Sequence, residues 1–133
     1  MPSGCDPGAR EGALKLREGA RMLAQGFDAE RLLHGEAVPY TSADGLVLLQ
    51  PSDDPDALTA ALGVAAGTED IPVATLAEEW LPQNPLLAQI PMTVRLQLLA
   101  DRFAGLRRQD PDVAIVGGWA EPRLWRIGAP TVA

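Results

Sequence analysis

Apolar side chains in the first part of the chain recur at spacings of three and four residues, which is typical of one face of an α-helix. This pattern predicts a first helix over residues 8–25, with Gly26 as its stop. The predicted apolar stripe consists of Ala13, Leu16, Ala20, Leu23 and Phe27. Asp28 has the residue type of an N-cap, so we expect a short helical turn over residues 29–34, closed by Gly35.

Two apolar segments that flank an Asp-Gly turn predict a first β-hairpin. Residues 37–41 and 46–50 have the composition of strands, and residues 42–45 supply the turn. Leu46 to Leu49 form a continuous apolar run, which favours burial on both faces. Pro39 cannot donate to a ladder and therefore predicts an edge strand.

A second hairpin is predicted near the end of the chain. Val113 to Val116 is a short apolar run that indicates a buried strand, and Gly117-Gly118 indicates a turn. The segment 123–127 is then expected to form the last strand. Alternation along that strand would place Arg123 and Trp125 on one face.

Helices are predicted between these hairpins. Helix-start signals with proline predict a helix over 55–62 that stops at Gly63, followed by a loop over 64–70. The same signals predict further helical segments over 72–81, 84–90 and 91–109. The sequence thus predicts an α+β domain, mainly helical, with about five helices and two hairpins in a small antiparallel or mixed sheet. The predicted core includes Leu16, Leu23, Leu48, Leu62, Trp80, Leu96, Leu99, Phe103 and Ile115.

Length and composition fit one domain of 133 residues with a hydrophobic fraction of 47%. We expect a flexible segment over 1–9, a globular domain over 10–128 and a short tail over 129–133. No run approaches the ~18–20 apolar residues of a membrane span, and the first residues lack the apolar core of a secretory signal. These features predict a cytoplasmic protein. The use of ten arginines and a single lysine, Lys15, is typical of a GC-rich genome, and we expect a bacterial source.

The inventory of reactive residues is small. His34 is the only histidine and Cys5 the only cysteine, so the chain cannot build a structural zinc site or an internal disulfide. We interpret His34 as a residue at a helix end, where its charge meets the helix dipole favourably. The densest carboxylate group, Asp53, Asp54 and Asp56, is explained by helix capping. The sequence therefore predicts no cofactor and no metal, and it favours a protein that is not an enzyme.

One segment resembles a known motif. The residues from Leu58 to Val64, Leu-Thr-Ala-Ala-Leu-Gly-Val, resemble the second helix and turn of a helix-turn-helix DNA-binding unit. Such a unit would continue with a recognition helix of basic or amide side chains. Residues 68–72 are instead Thr-Glu-Asp-Ile-Pro, which is acidic and contains proline. DNA binding through residues 58–72 is an alternative that this departure disfavours, and the net charge of −7 also disfavours nucleic acid and membranes.

Charge is distributed unevenly along the chain. Eleven acidic residues and one basic residue, Arg31, lie between Asp28 and Glu79, whereas six arginines and four acids lie between Arg95 and Arg126. Tryptophan and arginine, which are enriched at interface hot spots, are concentrated near the end. The predicted protein-binding residues are Trp119, Arg123, Trp125, Arg126, Asp53, Asp54 and Asp56.

These observations predict a non-enzymatic interaction module that docks another, possibly basic, protein by charge and by a Trp/Arg edge. An inhibitor, an antitoxin, an immunity protein or an accessory subunit would have this character, and a homo-oligomer is left open. The alternative is a small-molecule binder or enzyme that uses carboxylates and arginines. Burial of the tryptophans in the core, with arginine stems covering them, is the structural explanation that competes with docking.

Overall fold

The structure, a computed structural model, describes residues 6–50, 54, 56–77 and 84–125. Within these residues it contains four helices and one two-stranded sheet, which confirms a mainly helical α+β domain but not the predicted five helices. The elements in order are α1 (Asp6–Ala20), α2 (Ala29–Arg31), β1 (Leu46–Gln50), α3 (Leu58–Thr68), β2 (Val73–Ala77) and α4 (Pro85–Arg107). A π-helical turn (Leu32–Glu36) follows α2, and two 3₁₀ turns (Gly117–Ala120 and Pro122–Leu124) follow α4.

The sheet is parallel, so the predicted antiparallel or mixed sheet is wrong. β1 pairs with β2, with Leu46 opposite Val73 and Gln50 opposite Ala77. Residues 73–77 were expected to be helical. A five-residue segment is too short for its period to separate strand from helix, and here α3 supplies the crossover that a parallel pair needs. The chain thus forms a β1–α3–β2 unit.

The first predicted hairpin is absent because residues 37–41 form turns and not a strand. The predicted turn itself exists. The Asp44 amide donates to the Thr41 carbonyl oxygen at 2.9 Å, and the Thr41 amide donates to Asp44 Oδ2 at 2.8 Å. This local pairing leads the chain into β1 without joining two strands, since β1 finds its partner beyond α3.

Gly63 does not stop the third helix, which continues to Thr68. A β-carbon at Gly63 would lie 2.9 Å from Leu48 Cδ1, so glycine here lets α3 approach β1 closely. The helix ends where Asp70 takes a positive φ of 58°. The Ile71 amide then donates to the Ala66 carbonyl at 3.0 Å, which is part of a Schellman ending. Capping geometry at residue 70, and not Gly63, therefore sets the end of α3.

The main core lies between α1 and α4 and consists largely of small residues. Leu96 of α4 lies against Gly12 of α1, where an added β-carbon would be 2.8 Å from Leu96 Cδ1. Small side chains let the two helices approach closely, so alanines replace the expected aliphatic residues in much of the contact. The described buried residues with side chains in the two helices are Ala13, Ala20, Met92, Leu96, Ala100 and Ala104, and Gly8, Gly12 and Gly19 of α1 are buried as well.

The predicted core is confirmed only in part. Leu48, Leu62 and Leu96 are buried. Four other members are half-buried and Trp80 lies outside the described residues; the half-buried ones are Leu16, Leu99, Phe103 and Ile115. The inclusion of Leu23 was wrong, because its side chain is fully exposed.

The early end of α1 explains the exposure of Leu23. The predicted helix reached residue 25, but Arg21 takes a positive φ of 50° and α1 ends at Ala20. Beyond this point the chain turns back across the first turns of α1, where Gly26 lies against the backbone of Ala9. The apolar period continues through Leu23 in sequence, but the helix that would have placed that side chain in the core does not.

The helices α2 and α4 both differ from their predicted bounds. The predicted N-cap of α2 is confirmed, because Asp28 Oδ1 accepts the Arg31 amide at 2.7 Å, but α2 ends at Arg31 and not at residue 34. The longest helix was predicted to begin at Pro91, but α4 begins at Pro85 and contains Pro91 in its interior. Proline is favoured in the first turn of a helix, and both prolines carried that signal, so the sequence did not show which of them begins the helix.

The end of α4 is also a Schellman ending, with Arg108 in the position that favours glycine. Arg108 has a φ of 55°, its amide donates to the Gly105 carbonyl at 3.1 Å, and the Gln109 amide donates to the Ala104 carbonyl at 2.9 Å. A left-handed conformation costs an ordinary L-residue about 1–2 kcal/mol. The backbone hydrogen bonds hold Arg108 in it.

Arg108→Gly is therefore expected to raise the free energy of unfolding by roughly 0.5–1 kcal/mol, because glycine adopts positive φ without a steric penalty. Urea denaturation followed by far-UV circular dichroism measures the change. Arg102→Gly is the matched control, since Arg102 is exposed inside α4 and glycine there costs about 1 kcal/mol. Equal losses of stability in both variants would contradict the prediction.

The second predicted hairpin is also wrong within the described residues. Residues 113–116 form no strand, and the segment predicted as the last strand begins in a 3₁₀ turn, with the Trp125 amide donating to the Pro122 carbonyl at 3.1 Å. No described strand lies beside either segment to complete a ladder. The predicted tail at 129–133 and residues 1–5 of the predicted flexible segment lie outside the described residues, while residues 6–9 belong to α1.

Candidate functional site

The two late tryptophans lie at the surface and are joined by one hydrogen bond. Trp125 Nε1 donates to the Trp119 carbonyl oxygen at 2.7 Å. Trp125 is half-buried, whereas the Trp119 side chain is 75% exposed. Trp119 is therefore not a core residue, and the explanation that buries both tryptophans does not describe this molecule.

The predicted strand face shared by Arg123 and Trp125 is not formed. Arg123 belongs to a 3₁₀ turn, and its Nε forms an ion pair with Glu121 Oε1 at 3.0 Å. Its side chain is 89% exposed. Arg126 lies outside the described residues, so its placement in the edge stays a prediction.

An open cavity of about 360 Å³ lies beside the tryptophans. The described part of its wall is aromatic and aliphatic, with one cation. The lining residues are Arg21, Ala114, Ile115, Val116, Trp119 and Trp125. The sequence analysis found the two tryptophans but missed Arg21, because the tertiary fold brings the end of α1 next to a segment far away in the chain and no local pattern signals this.

Arg21 joins the end of α1 to the segment after α4. Its guanidinium donates through Nη1 to Gln109 Oε1 and through Nη2 to the Val113 carbonyl oxygen, the latter at 3.2 Å. Both acceptors are neutral, and within the described residues Arg21 has no ion-pair partner. Its Nε is buried and has no hydrogen-bond partner among those residues. Arg21 is thus a half-buried cation that has no counter-ion in the part of the chain that the structure describes.

The predicted acidic residues are only partly placed. Asp54 is half-buried, and its Oδ2 accepts from the Thr59 amide at 3.2 Å and from Gln50 Nε2 at 3.3 Å. It therefore satisfies an amide in the first turn of α3. The N-cap position itself is occupied by Ala57 without a side-chain cap, so the predicted aspartate N-cap is not confirmed. Asp56 is exposed and Asp53 lies outside the described residues.

Most of the acidic middle segment is not neutralised by internal ion pairs. Eight acidic residues are described between Asp28 and Asp70, and only Glu36 forms an ion pair, with Arg31 at 3.6 Å. Five of the eight are exposed: Glu30, Asp44, Asp56, Glu69 and Asp70. Negative charge in this segment thus remains available to an external cation.

The described residues offer little for catalysis or metal binding. His34 is exposed in the turn after α2, with no serine or cysteine recorded as a hydrogen-bond partner. Within the described ranges, no three His, Cys, Asp or Glu side chains are grouped so that they could hold a metal ion. The segment that resembles a helix-turn-helix forms the single helix α3 followed by β2, so neither the turn nor the recognition helix of that unit is present.

Among the helices in the described part of the chain, none has the length and apolarity that a membrane crossing requires.

Comparisons with known proteins add no assignment. No protein-family model matches the chain, and no curated protein matches it either.

Proposed function

We propose that this protein is a non-enzymatic interaction module that docks another protein through Trp119 and the adjoining cavity. The exposure of Trp119 is the observation that carries the proposal. A tryptophan buries a large apolar area on contact and is among the residues most enriched at interface hot spots. Here it stands at 75% exposure beside an apolar-walled cavity, where a partner side chain can cover it.

The acidic middle segment supplies the second part of the proposal. Long-range attraction between opposite charges raises association rates and is weakened by salt. Carboxylates without internal ion pairs, such as Glu69 and Asp70, would steer a partner with a basic surface. Charge would therefore act mainly on the association rate, whereas the Trp119 contact would act mainly on dissociation.

Trp119→Ala is expected to weaken partner binding about 30-fold or more, since hot-spot truncations cost about 2 kcal/mol or more. The partner is first captured from the native host with the immobilised protein, and its Kd is then measured by calorimetry with purified components. Val64→Ala is the matched control because Val64 is 73% exposed on α3 and does not line the cavity. Removing the exposed indole should change unfolding stability by less than about 0.5 kcal/mol.

Two outcomes would count against the proposal. A partner that binds wild type and Trp119→Ala equally well would exclude the tryptophan surface as the interface. A monomer that captures no partner at physiological salt would exclude docking altogether. Raising the salt concentration from about 50 to about 500 mM should lower the association rate if the acidic segment steers the encounter.

Self-association can be tested independently of docking through Trp119, because the surface that would pair two copies lies on α4. The outer side of α4 exposes four apolar residues at spacings of three and four: Leu87, Ile90, Val94 and Leu98. Such a stripe is typical of a helix face that packs against another element. Sedimentation of wild type and Leu98→Ala across protein concentrations would detect a homo-oligomer without involving Trp119.

A further inference from the structure

The chemistry of the cavity specifies more than an apolar contact. Among the described residues that line it, Arg21 is the only charged one, and none has a side chain with a carboxylate, an amide or a hydroxyl group. The guanidinium and the Trp119 indole can only donate hydrogen bonds, and the Trp125 indole already donates to the Trp119 carbonyl. A group that enters this space therefore meets positive charge and hydrogen-bond donors, and the described lining side chains offer it no acceptor.

The state of Arg21 points to an anion. The residue is half-buried, and its hydrogen-bond acceptors, Gln109 Oε1 and the Val113 carbonyl, are both neutral. Removing a cation from water is unfavourable unless an opposite charge compensates for it. Its buried Nε also lacks an acceptor among the described residues. A carboxylate in the cavity would supply the missing negative charge next to this group.

The remaining walls limit the shape of the ligand. The indoles of Trp119 and Trp125 and the side chains of Ile115 and Val116 provide apolar surface. A volume of about 360 Å³ is at the small end of the roughly 300–1,000 Å³ range of ligand pockets. It suits one aromatic or branched aliphatic group that carries a single charge, and it is small for a folded surface.

We infer that the cavity binds an aromatic or branched aliphatic group bearing one carboxylate, with Arg21 as the anion-recognising residue. Two sources have this chemistry: the C-terminal residue of a docked protein, and a free aromatic acid. If the ligand is the C-terminal residue of a docked protein, the inference rests on the proposed docking function; if the ligand is a free aromatic acid, it does not. In the first case the partner presents its chain end to the cavity while its basic surface faces the acidic segment.

The experiment compares a carboxylate with its neutral amide in the same apolar frame. N-acetylphenylalanine and N-acetylphenylalaninamide are titrated into the protein, followed by tryptophan fluorescence and calorimetry. A short peptide that ends in phenylalanine is then titrated as the free acid and as the amide. We expect each acid to bind about tenfold or more tightly than its amide, as for a hydrogen bond to a charged group. Tighter binding of the peptide indicates a chain end, and equal binding indicates a free acid.

Three variants identify the groups responsible. Arg21→Gln should abolish the preference for the acid, while Arg21→Lys should retain part of it because the charge remains. Arg17→Gln is the control, since Arg17 is exposed on α1 and does not line the cavity. Because Arg21 also joins two segments, circular dichroism must show that its variants fold. Trp119→Ala keeps Arg21 and should weaken the acid and the amide by the same factor, which tests the apolar wall in a protein with an intact cation.

Each failure has a separate meaning. Equal binding of acid and amide to the wild type, a preference that persists in Arg21→Gln, or no binding of either probe would overturn the inference about the cavity. Docking through Trp119 would still be judged by the partner's affinity for Trp119→Ala. Conversely, if the acids bind through Arg21 but no protein partner depends on Trp119, the carboxylate site stands and the docking function is wrong.

Discussion

Gly26→Ala is expected to lower the free energy of unfolding by about 3 kcal/mol, at the upper end of the usual cost of overpacking. A β-carbon at this position would overlap the Ala9 carbonyl and lie 2.6 Å from the Arg10 amide nitrogen. These are backbone atoms of α1, so no side-chain rotation can relieve the contact. Either the segment after α1 or the start of α1 must move.

Urea denaturation measures this effect as a shift of the midpoint at unchanged slope. Gly67→Ala is the control, because nothing lies within 4 Å of its added β-carbon and alanine is favoured over glycine inside a helix by about 1 kcal/mol. The two alanine substitutions should therefore change stability in opposite directions. If Gly26→Ala were as stable as the wild type, the close crossing of the chain over α1 would be disproved.

Leu96→Ala should cost about 3 kcal/mol of unfolding free energy, within the range measured for buried leucines. Leu96 is only 4% exposed and contacts α1 at Gly12. The neighbours in this interface are mostly alanines and glycines, whose short side chains cannot extend to fill the cavity that truncation leaves. Most of the loss should therefore persist after relaxation.

Leu106→Ala provides the comparison on the same helix, because Leu106 is 65% exposed and lies outside the apolar stripe from Leu87 to Leu98. Its unfolding free energy should stay within about 0.5 kcal/mol of the wild-type value. Thermal unfolding followed by circular dichroism, together with urea denaturation, gives both numbers. Similar losses for the two leucines would mean that the packing of α1 against α4 does not bury the face assigned to it.

The comparison of the two leucines also shows why the core was only partly predictable. Apolar periodicity correctly indicated Leu48, Leu62 and Leu96. It also placed Ala13 and Ala20 on the apolar face of the first helix, but it did not show that Ala100 and Ala104 of α4 would be buried, since alanine is common on helix surfaces as well. Leu23 follows the same period as its buried neighbours and is nevertheless exposed, because α1 ends at Ala20 and Arg21 turns the chain with a positive φ.

The candidate site was predictable to a similar extent. Composition drew attention to Trp119 and Trp125, whose residue types are typical of interfaces, and the structure places both beside one cavity. Arg21 carries no such signal. It belongs to the site because the end of α1 lies against the segment after α4, and contacts between segments so far apart in the chain have no local sequence pattern.

Local interactions explain what could be derived for this protein without coordinates. The N-cap at Asp28, the turn at Asp44, the strand from Leu46 to Gln50 and the existence of the long α4 depend on residues close together in the chain. The parallel partner of β1 and the Arg21 cavity depend on contacts between distant segments. Such contacts form only when whole elements pack, because the gain from burying surfaces and pairing strands outweighs the weak preference of each short segment.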